Sequence, residues 1–91
     1  MISTPTPAPF VQPTIHARGT LIFLYNKRKL VTVSIRTRHP KDEVPSLVIY
    51  ARCGTAGLII DYVWSANIWW ICVLTSDGIV GWIFDSDLVL A

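Results

Sequence analysis

Charged residues are scarce in this sequence, and bases are absent from its second half. Only 15% of the 91 residues are charged, against about 25% in an ordinary soluble domain, whereas 52% are hydrophobic. No lysine or arginine follows Arg52, so residues 1–52 carry eight bases and two acids (8 − 2 = +6) and the remainder carries four aspartates (−4). We therefore expect a small domain with a basic side, an acidic side and apolar surface left over for a partner.

Cysteine is also rare. Cys53 and Cys72 permit one disulfide at most, which excludes a disulfide-rich scaffold and favours reduced thiols. His16 and His39 bring the possible zinc ligands to four, but no C-x-x-C or H-x-x-x-H pair is present. The sequence predicts neither a metal site nor another cofactor.

Long apolar runs are missing as well. Residues 62–76 lack charge, but they are fewer than the roughly 18 apolar residues of a membrane-spanning helix and contain Ser65 and Asn67. The N-terminus has no basic region followed by an apolar one, as a secretion signal would. We expect a cytoplasmic protein, or one that reaches its site within a larger assembly.

The clearest positive feature is a β-hairpin signature in the last third. Trp69–Leu74 and Ile79–Phe84 are runs of β-branched and aromatic residues, and Thr75–Gly78 lies between them. The Asp77-Gly78 pair supplies the positive φ that a tight hairpin or its adjoining bulge requires.

The rest of the chain also reads as strands. Residues 20–25, 30–36, 47–52 and 57–63 are strand-type runs separated by Gly, Pro or polar turns, and no segment shows a sustained helical period. In the second run Val33 and Ile35 alternate with Thr32 and Ser34, which predicts a half-buried antiparallel strand. The fold class is therefore all-β, in one domain spanning residues 16–91.

The hairpin resembles the closing hairpin of bacterial SH3-like (SH3b) domains. The matching residues are Trp70, Val73, Asp77-Gly78, Gly81-Trp82 and Leu88. Val33–Arg36, Val48-Ile49 and Gly54-Thr55 extend the resemblance over about residues 31–90, although Thr37-Arg38-His39 replaces the usual Ser-Gly-Pro. The resemblance implies a small SH3-like barrel of five to seven short antiparallel strands, with residues 37–46 at the position of the RT-type loop.

Residues 1–15 are a proline-rich segment. Pro5, Pro7, Pro9 and Pro13 fix φ and remove hydrogen-bond donors, so this segment is predicted to be an extended arm. No P-x-x-P pair is present, which argues against a ligand for an ordinary SH3 groove. Phe10 and Val11 are unusual in a purely solvated tail, and we expect them to contact a neighbouring protein.

Catalysis is not predicted. An enzyme needs acid, base or nucleophile groups converging in a cleft, but His16 and His39 lie in separate polar segments. Cys72 lies within an apolar strand, where burial raises rather than lowers the pKa of a thiol.

Binding is favoured by the aromatic residues. Trp69 and Trp70 are adjacent and so point to opposite faces of a strand. Because Trp70 matches the family signature, Trp69 is expected at a partner surface, together with Tyr62 and with Trp64 at the edge of a loop of residues 64–67. The basic run Lys27, Arg28 and Lys29 is either a solvated hairpin tip or a patch that steers the chain to an acidic surface.

These features predict a non-catalytic protein-protein interaction or assembly subunit. A cell-wall or peptide-binding SH3b module is the first alternative. A basic single-strand nucleic-acid binder is the second, although the bases and the aromatic residues lie in different halves of the chain.

Overall fold

Seven antiparallel strands make up a single sheet in this computed structural model, which describes residues 17–28 and 31–91. The strands are β1 (Leu21–Leu24), β2 (Thr32–Arg36), β3 (Val48–Arg52), β4 (Ala56–Ser65), β5 (Ile68–Thr75), β6 (Val80–Phe84) and β7 (Leu88–Leu90). The described residues contain no helix, which confirms the predicted all-β class. No helix long and apolar enough to cross a membrane is present in this part of the chain.

Two consecutive hairpins form the middle of the sheet. β4 pairs with β5, and β5 pairs with β6. β2 and β3 extend the sheet beyond β6, and β1 and β7 extend it beyond β4, so the strand order is β3-β2-β6-β5-β4-β1-β7. β2 joins β6 through the pair Arg36 and Trp82. Within the described residues no ladder pairs β3 with β7, so these strands are the two edges of the sheet.

One hydrophobic core collects side chains from both edges and from every strand between them. The buried members are Ile22, Leu24, Val33, Ile35, Ala51, Ile59, Ile71, Val73, Ile83 and Leu88. Because alternate residues of a strand point to opposite faces, these side chains define one face, called here the inner face. The sheet is therefore curved, so that side chains of its edge strands β3 and β7 pack in the same core. The burial of Val33 and Ile35 confirms the predicted alternation in β2.

The predicted hairpin between β5 and β6 is confirmed in detail. Thr75 N–H donates to the Ile79 carbonyl over 2.8 Å, and Gly78 N–H donates to the Thr75 carbonyl over 3.0 Å. Gly78 has φ +87°, which a residue with a Cβ adopts only under strain. The buried Thr75 hydroxyl bonds to the Asp77 carboxylate and accepts Ile79 N–H, so polar side chains complete the turn.

Gly81 allows β6 to approach β2. A Cβ at this position would lie 2.3 Å from Ile35 Cγ2 and 2.7 Å from the Arg36 carbonyl oxygen. Both distances are far below van der Waals contact. The glycine is therefore required for the junction that joins β2 and β3 to the rest of the sheet.

Candidate functional site

The site is built on the hairpin of β4 and β5, which is longer than the sequence predicts. Ser65 pairs with Ile68, and the two turn residues Ala66 and Asn67 have φ of 52° and 61°. Positive φ at both central residues is typical of a type I′ turn, which matches the twist of a hairpin. The predicted loop at residues 64–67 is thus a two-residue turn, and Trp64 lies on a strand.

A β-bulge determines which side chains share a face. The ladder pairs Ile59 with Val73 and then Asp61 with Cys72, so Ile60 is an extra residue in β4. Beyond the bulge, Tyr62 lies opposite Ile71, on the inner face. A one-residue insertion moves every later side chain to the other face of a strand. Without the bulge, Tyr62 would lie on the outer face.

The bulge brings three predicted site residues together in an aromatic cluster, defined as Tyr62, Trp64 and Trp69. Trp64 lies directly opposite Trp69, with ring centroids 5.4 Å apart and planes at 64°. Tyr62 meets the same indole at 5.8 Å and 71°. These are edge-to-face contacts, which contribute about 0.5–1.5 kcal/mol each beyond burial. All three residues are half-buried, so the cluster is a rigid aromatic surface at the end of the hairpin.

Charged groups lie at one side of the aromatic cluster. The Arg18 guanidinium bonds Asp61 Oδ1 over 2.9 Å and lies 5.3 Å from the centre of the Tyr62 ring. Gly19 N–H donates to the Ile59 carbonyl over 2.6 Å, which holds the chain next to the bulge. Arg18 and Gly19 therefore lie beside the aromatic cluster.

Trp69 contains an unusual buried donor. Its Nε1–H is enclosed, and the described residues offer it no hydrogen-bond acceptor. An unsatisfied buried N–H costs about 1–3 kcal/mol. The neighbouring Trp70 Nε1–H, by contrast, donates to the Ser65 carbonyl over 3.2 Å. The opposite placement of the two tryptophans is as predicted, and their indole groups are satisfied differently.

A second apolar cluster covers the outer face. Its buried members are Trp70, Cys72 and Trp82, which all point away from the main core. The loop of residues 37–46 folds over it, and the His39 ring meets Trp82 edge-on at 4.8 Å. The Arg36 guanidinium lies 5.0 Å from the centre of the Trp70 ring. β5 therefore has buried residues on both faces, which explains why its sequence shows no simple alternation of apolar and polar residues.

The loop also borders a shallow cleft of about 180 Å³. Arg36, Arg38 and His39 line it together with Trp70 and the acidic residues of the loop. Arg38 and Asp42 form an ion pair at 3.7 Å across four residues.

Cys72 is unsuited to nucleophilic chemistry. Burial, and secondarily the charge of Asp61, raises the pKa of its thiol to about 11. The thiolate fraction at neutral pH is therefore very small. The described residues also contain no group of three or more His, Cys, Asp or Glu side chains that could hold a metal ion.

An apolar stripe that the sequence alone does not predict lies on the outer face of the sheet. Leu21, Leu58, Leu74 and Val80 lie directly opposite one another in β1, β4, β5 and β6. Phe23 and Val89 pair in the same way between β1 and β7. All six side chains of this apolar stripe are 38–51% exposed. The uninterrupted apolar run of β1 signals such a two-sided strand, but the alignment across strands depends on their register.

The remaining predicted site residues are placed only in part. Lys27 and Arg28 are exposed after β1, where Arg28 N–H donates to the Asn26 side chain over 2.9 Å. Lys29 lies outside the described residues, as do Phe10 and Val11 of the predicted arm.

Comparisons with known proteins add no identity. No protein-family model matches the chain, and neither the curated proteins nor the solved structures give a significant match.

Proposed function

We propose that this protein is a non-catalytic subunit that docks on another protein. The apolar stripe is the main support for this proposal. Its six large apolar side chains lie exposed across five neighbouring strands. Contiguous apolar patches of this kind mark interaction surfaces in small domains.

The aromatic cluster is the second part of the proposed interface. Trp64, Trp69 and Tyr62 are rigid and amphipathic, and residues of this type dominate binding energy at protein interfaces. The proline-rich segment, through Phe10 and Val11, would add contacts on a neighbour, because the chain enters the sheet beside this cluster. Lys27, Arg28 and Lys29 would steer the complex toward an acidic surface.

We also propose that the sheet is an SH3-like barrel. One feature supports this, namely the single core shared by all seven strands. The β1–β4 ladder also continues into the turn after β3, where Gly54 N–H donates to the Leu24 carbonyl over 2.7 Å and Leu24 N–H donates to the Thr55 carbonyl over 2.9 Å. The resemblance of the β5–β6 hairpin to SH3b domains agrees with this architecture.

The proposed function is tested by affinity capture from the native source. The wild-type chain is compared with Leu74→Lys, at the centre of the apolar stripe, and with Val44→Lys as a control. Val44 is 51% exposed in the 37–46 loop, so the control adds the same charge away from the stripe. We expect a stoichiometric protein partner with the wild type and the control, and its loss with Leu74→Lys.

Two further variants test the aromatic cluster and the arm separately. Trp69→Ala is expected to weaken capture if the aromatic cluster takes part, and deletion of residues 1–15 tests the arm. Retention of the partner by Leu74→Lys would contradict the role of the stripe. Failure of the wild type to capture any protein would refute the proposed function.

The cleft beside Trp70 favours one alternative, a peptide-binding module of the cell-wall type. Arg36 and Arg38 line this cleft and could bind a peptide carboxylate there. Cosedimentation with peptidoglycan, abolished by Arg36→Gln, would support this alternative over the protein-docking function. Binding to single-stranded nucleic acid would instead show a steep salt dependence.

A further inference from the structure

One edge of the sheet offers an unpaired strand. Thr37 N–H donates to the Leu47 carbonyl over 3.0 Å, and Cys53 N–H donates to the Val31 carbonyl over 2.9 Å. Between these bonds the register places Ile35 opposite Ile49. In an antiparallel ladder alternate residues of the strand turn their backbone groups to the partner. Val48 and Tyr50 therefore direct their N–H and C=O groups away from β2, toward the open edge.

In the part of the chain that the structure describes, this edge lacks the usual protection over residues 47–51. Edge strands of natural proteins are commonly shielded by charges, prolines, bulges or a covering segment. Residues 47–51 contain no charge and no proline, and the β2–β3 ladder is regular. Leu47 is 75% exposed, Val48 42%, Ile49 39% and Tyr50 63%. Apolar side chains are thus exposed on both faces of a strand whose backbone donors and acceptors are available.

We propose that β3 pairs with β3 of a second copy of this chain, antiparallel, about a two-fold axis at Ile49. In this register Val48 lies opposite Tyr50 of the second copy, and Tyr50 lies opposite its Val48. Each of these two pairs exchanges two backbone hydrogen bonds. The four bonds together use the N–H and C=O groups of Val48 and Tyr50 in both copies. The two sheets become one continuous sheet through the dimer.

The side chains of β3 complement themselves in this register. Val48 meets Tyr50, a β-branched and aromatic cross-strand pair of the kind that stabilises sheets. Ile49 meets its own copy. Arg52, the only charged residue of β3, faces the uncharged Ser46 of the second copy, so like charges do not oppose each other.

A neighbouring register is less favourable. An axis at Tyr50 would place Arg52 in a hydrogen-bonded pair with Val48 of the second copy. The Arg52 carbonyl already accepts Thr55 N–H over 3.1 Å and the Thr55 hydroxyl over 2.7 Å. The axis at Ile49 instead uses only backbone groups with no other partner.

A second copy suits this edge better than an unrelated peptide does. The edge is apolar on both faces and uncharged over residues 47–51, so it is best matched by a strand with the same properties, and β3 of a second copy has them. The contact is isologous and closes at two copies. It does not involve the apolar stripe or the aromatic cluster, so it is independent of the proposed function.

Paired variants at Ile49 test the proposal. Sedimentation equilibrium of the full chain is expected to show a monomer–dimer equilibrium. Ile49→Lys and Ile49→Glu should each weaken dimerisation about tenfold or more, because like charges then face each other across the axis. An equimolar mixture of the two variants should restore the dimer, since opposite charges now face each other. Val44→Lys is the control and should dimerise as the wild type does.

A backbone variant tests the same edge without adding charge. Val48→Pro removes an N–H that has no partner within the sheet, so the folded monomer keeps its ladder and near-ultraviolet circular dichroism while the dimer is lost. A wild-type chain that stays monomeric at about 1 mM would overturn the proposal. So would a dimer that survives both single variants, or a mixture that fails to restore a dimer the single variants have lost.

Discussion

Replacing Gly81 with alanine tests whether one close approach holds the two parts of the sheet together. The added Cβ would lie 2.3 Å from Ile35 Cγ2, about 1.2 Å short of the closest normal carbon–carbon separation of about 3.5 Å. The Arg36 carbonyl oxygen, at 2.7 Å, belongs to the backbone and cannot move alone. β2 and β6 must therefore separate where Arg36 pairs with Trp82.

The magnitude follows from two opposing effects. Overpacking costs about 1–3 kcal/mol, and the upper end applies here because a methyl group and a backbone oxygen both obstruct the Cβ. Alanine also restricts the unfolded chain, which contributes about 0.4–1 kcal/mol in the other direction. We expect a net loss of about 2 kcal/mol in the free energy of unfolding. In urea denaturation this lowers the midpoint by about 1–2 M at an unchanged slope.

A double-mutant cycle identifies the cause. Ile35→Ala alone should cost about 2–5 kcal/mol, but less in the Gly81→Ala background, because removal of Cγ2 makes room for the new Cβ. Ile35→Val keeps Cγ2 and should give no such relief. Gly57→Ala is a milder comparison within a strand, since its Cβ would lie 3.2 Å from the Leu74 carbonyl oxygen, and it should cost less than Gly81→Ala. A Gly81→Ala chain within 0.5 kcal/mol of wild type, or additive behaviour with Ile35→Ala, would refute the reasoning.

Three further predictions concern buried groups. Trp82→Ala should cost about 3–5 kcal/mol in chemical denaturation, because the indole fills the outer-face cluster; a loss below 1 kcal/mol would contradict that placement. Burial, and secondarily Asp85, raises the pKa of Asp87, so the folded state holds its proton more tightly than the unfolded state and stability falls as pH rises above about 4. Asp87→Asn should therefore raise the urea midpoint at pH 7 and flatten its decline as pH rises above about 4, whereas an unchanged pH profile would argue against a half-buried carboxyl. Cys72, with a thiol pKa of about 11, should react with a thiol reagent at pH 7 only on unfolding. Because Cys53 is a second free thiol and only half-buried, the label is located by mass spectrometry of peptides, and rapid labelling of Cys72 itself in the native protein would contradict its burial.

The β5–β6 hairpin could be predicted from the sequence because its signals are local. Asp77-Gly78 supplies the positive φ of the turn, and the flanking runs have strand composition. The alternation of β2 is equally local, since Val33 and Ile35 repeat every second residue. Signals of this kind need no knowledge of which strands pair.

The candidate site could be predicted only as a list of residues. Tyr62, Trp64 and Trp69 are aromatic in the sequence, but the bulge at Ile60 places them on one face. Nothing in the local pattern marks Ile60 as an extra residue. A loop at residues 64–67 could be predicted, but its two-residue turn could not, because alanine rarely adopts positive φ.

The amino-acid sequence by itself determines the all-β class, the hairpin near Gly78 and the shortage of charge that leaves apolar surface exposed. Only the tertiary structure decides where that surface lies. Leu21, Leu58 and Leu74 become one stripe because their strands pair in a particular register, and β3 becomes an open edge because of its position in the strand order. Side-chain direction follows from short-range backbone geometry, whereas register and strand order depend on contacts between residues far apart in the chain.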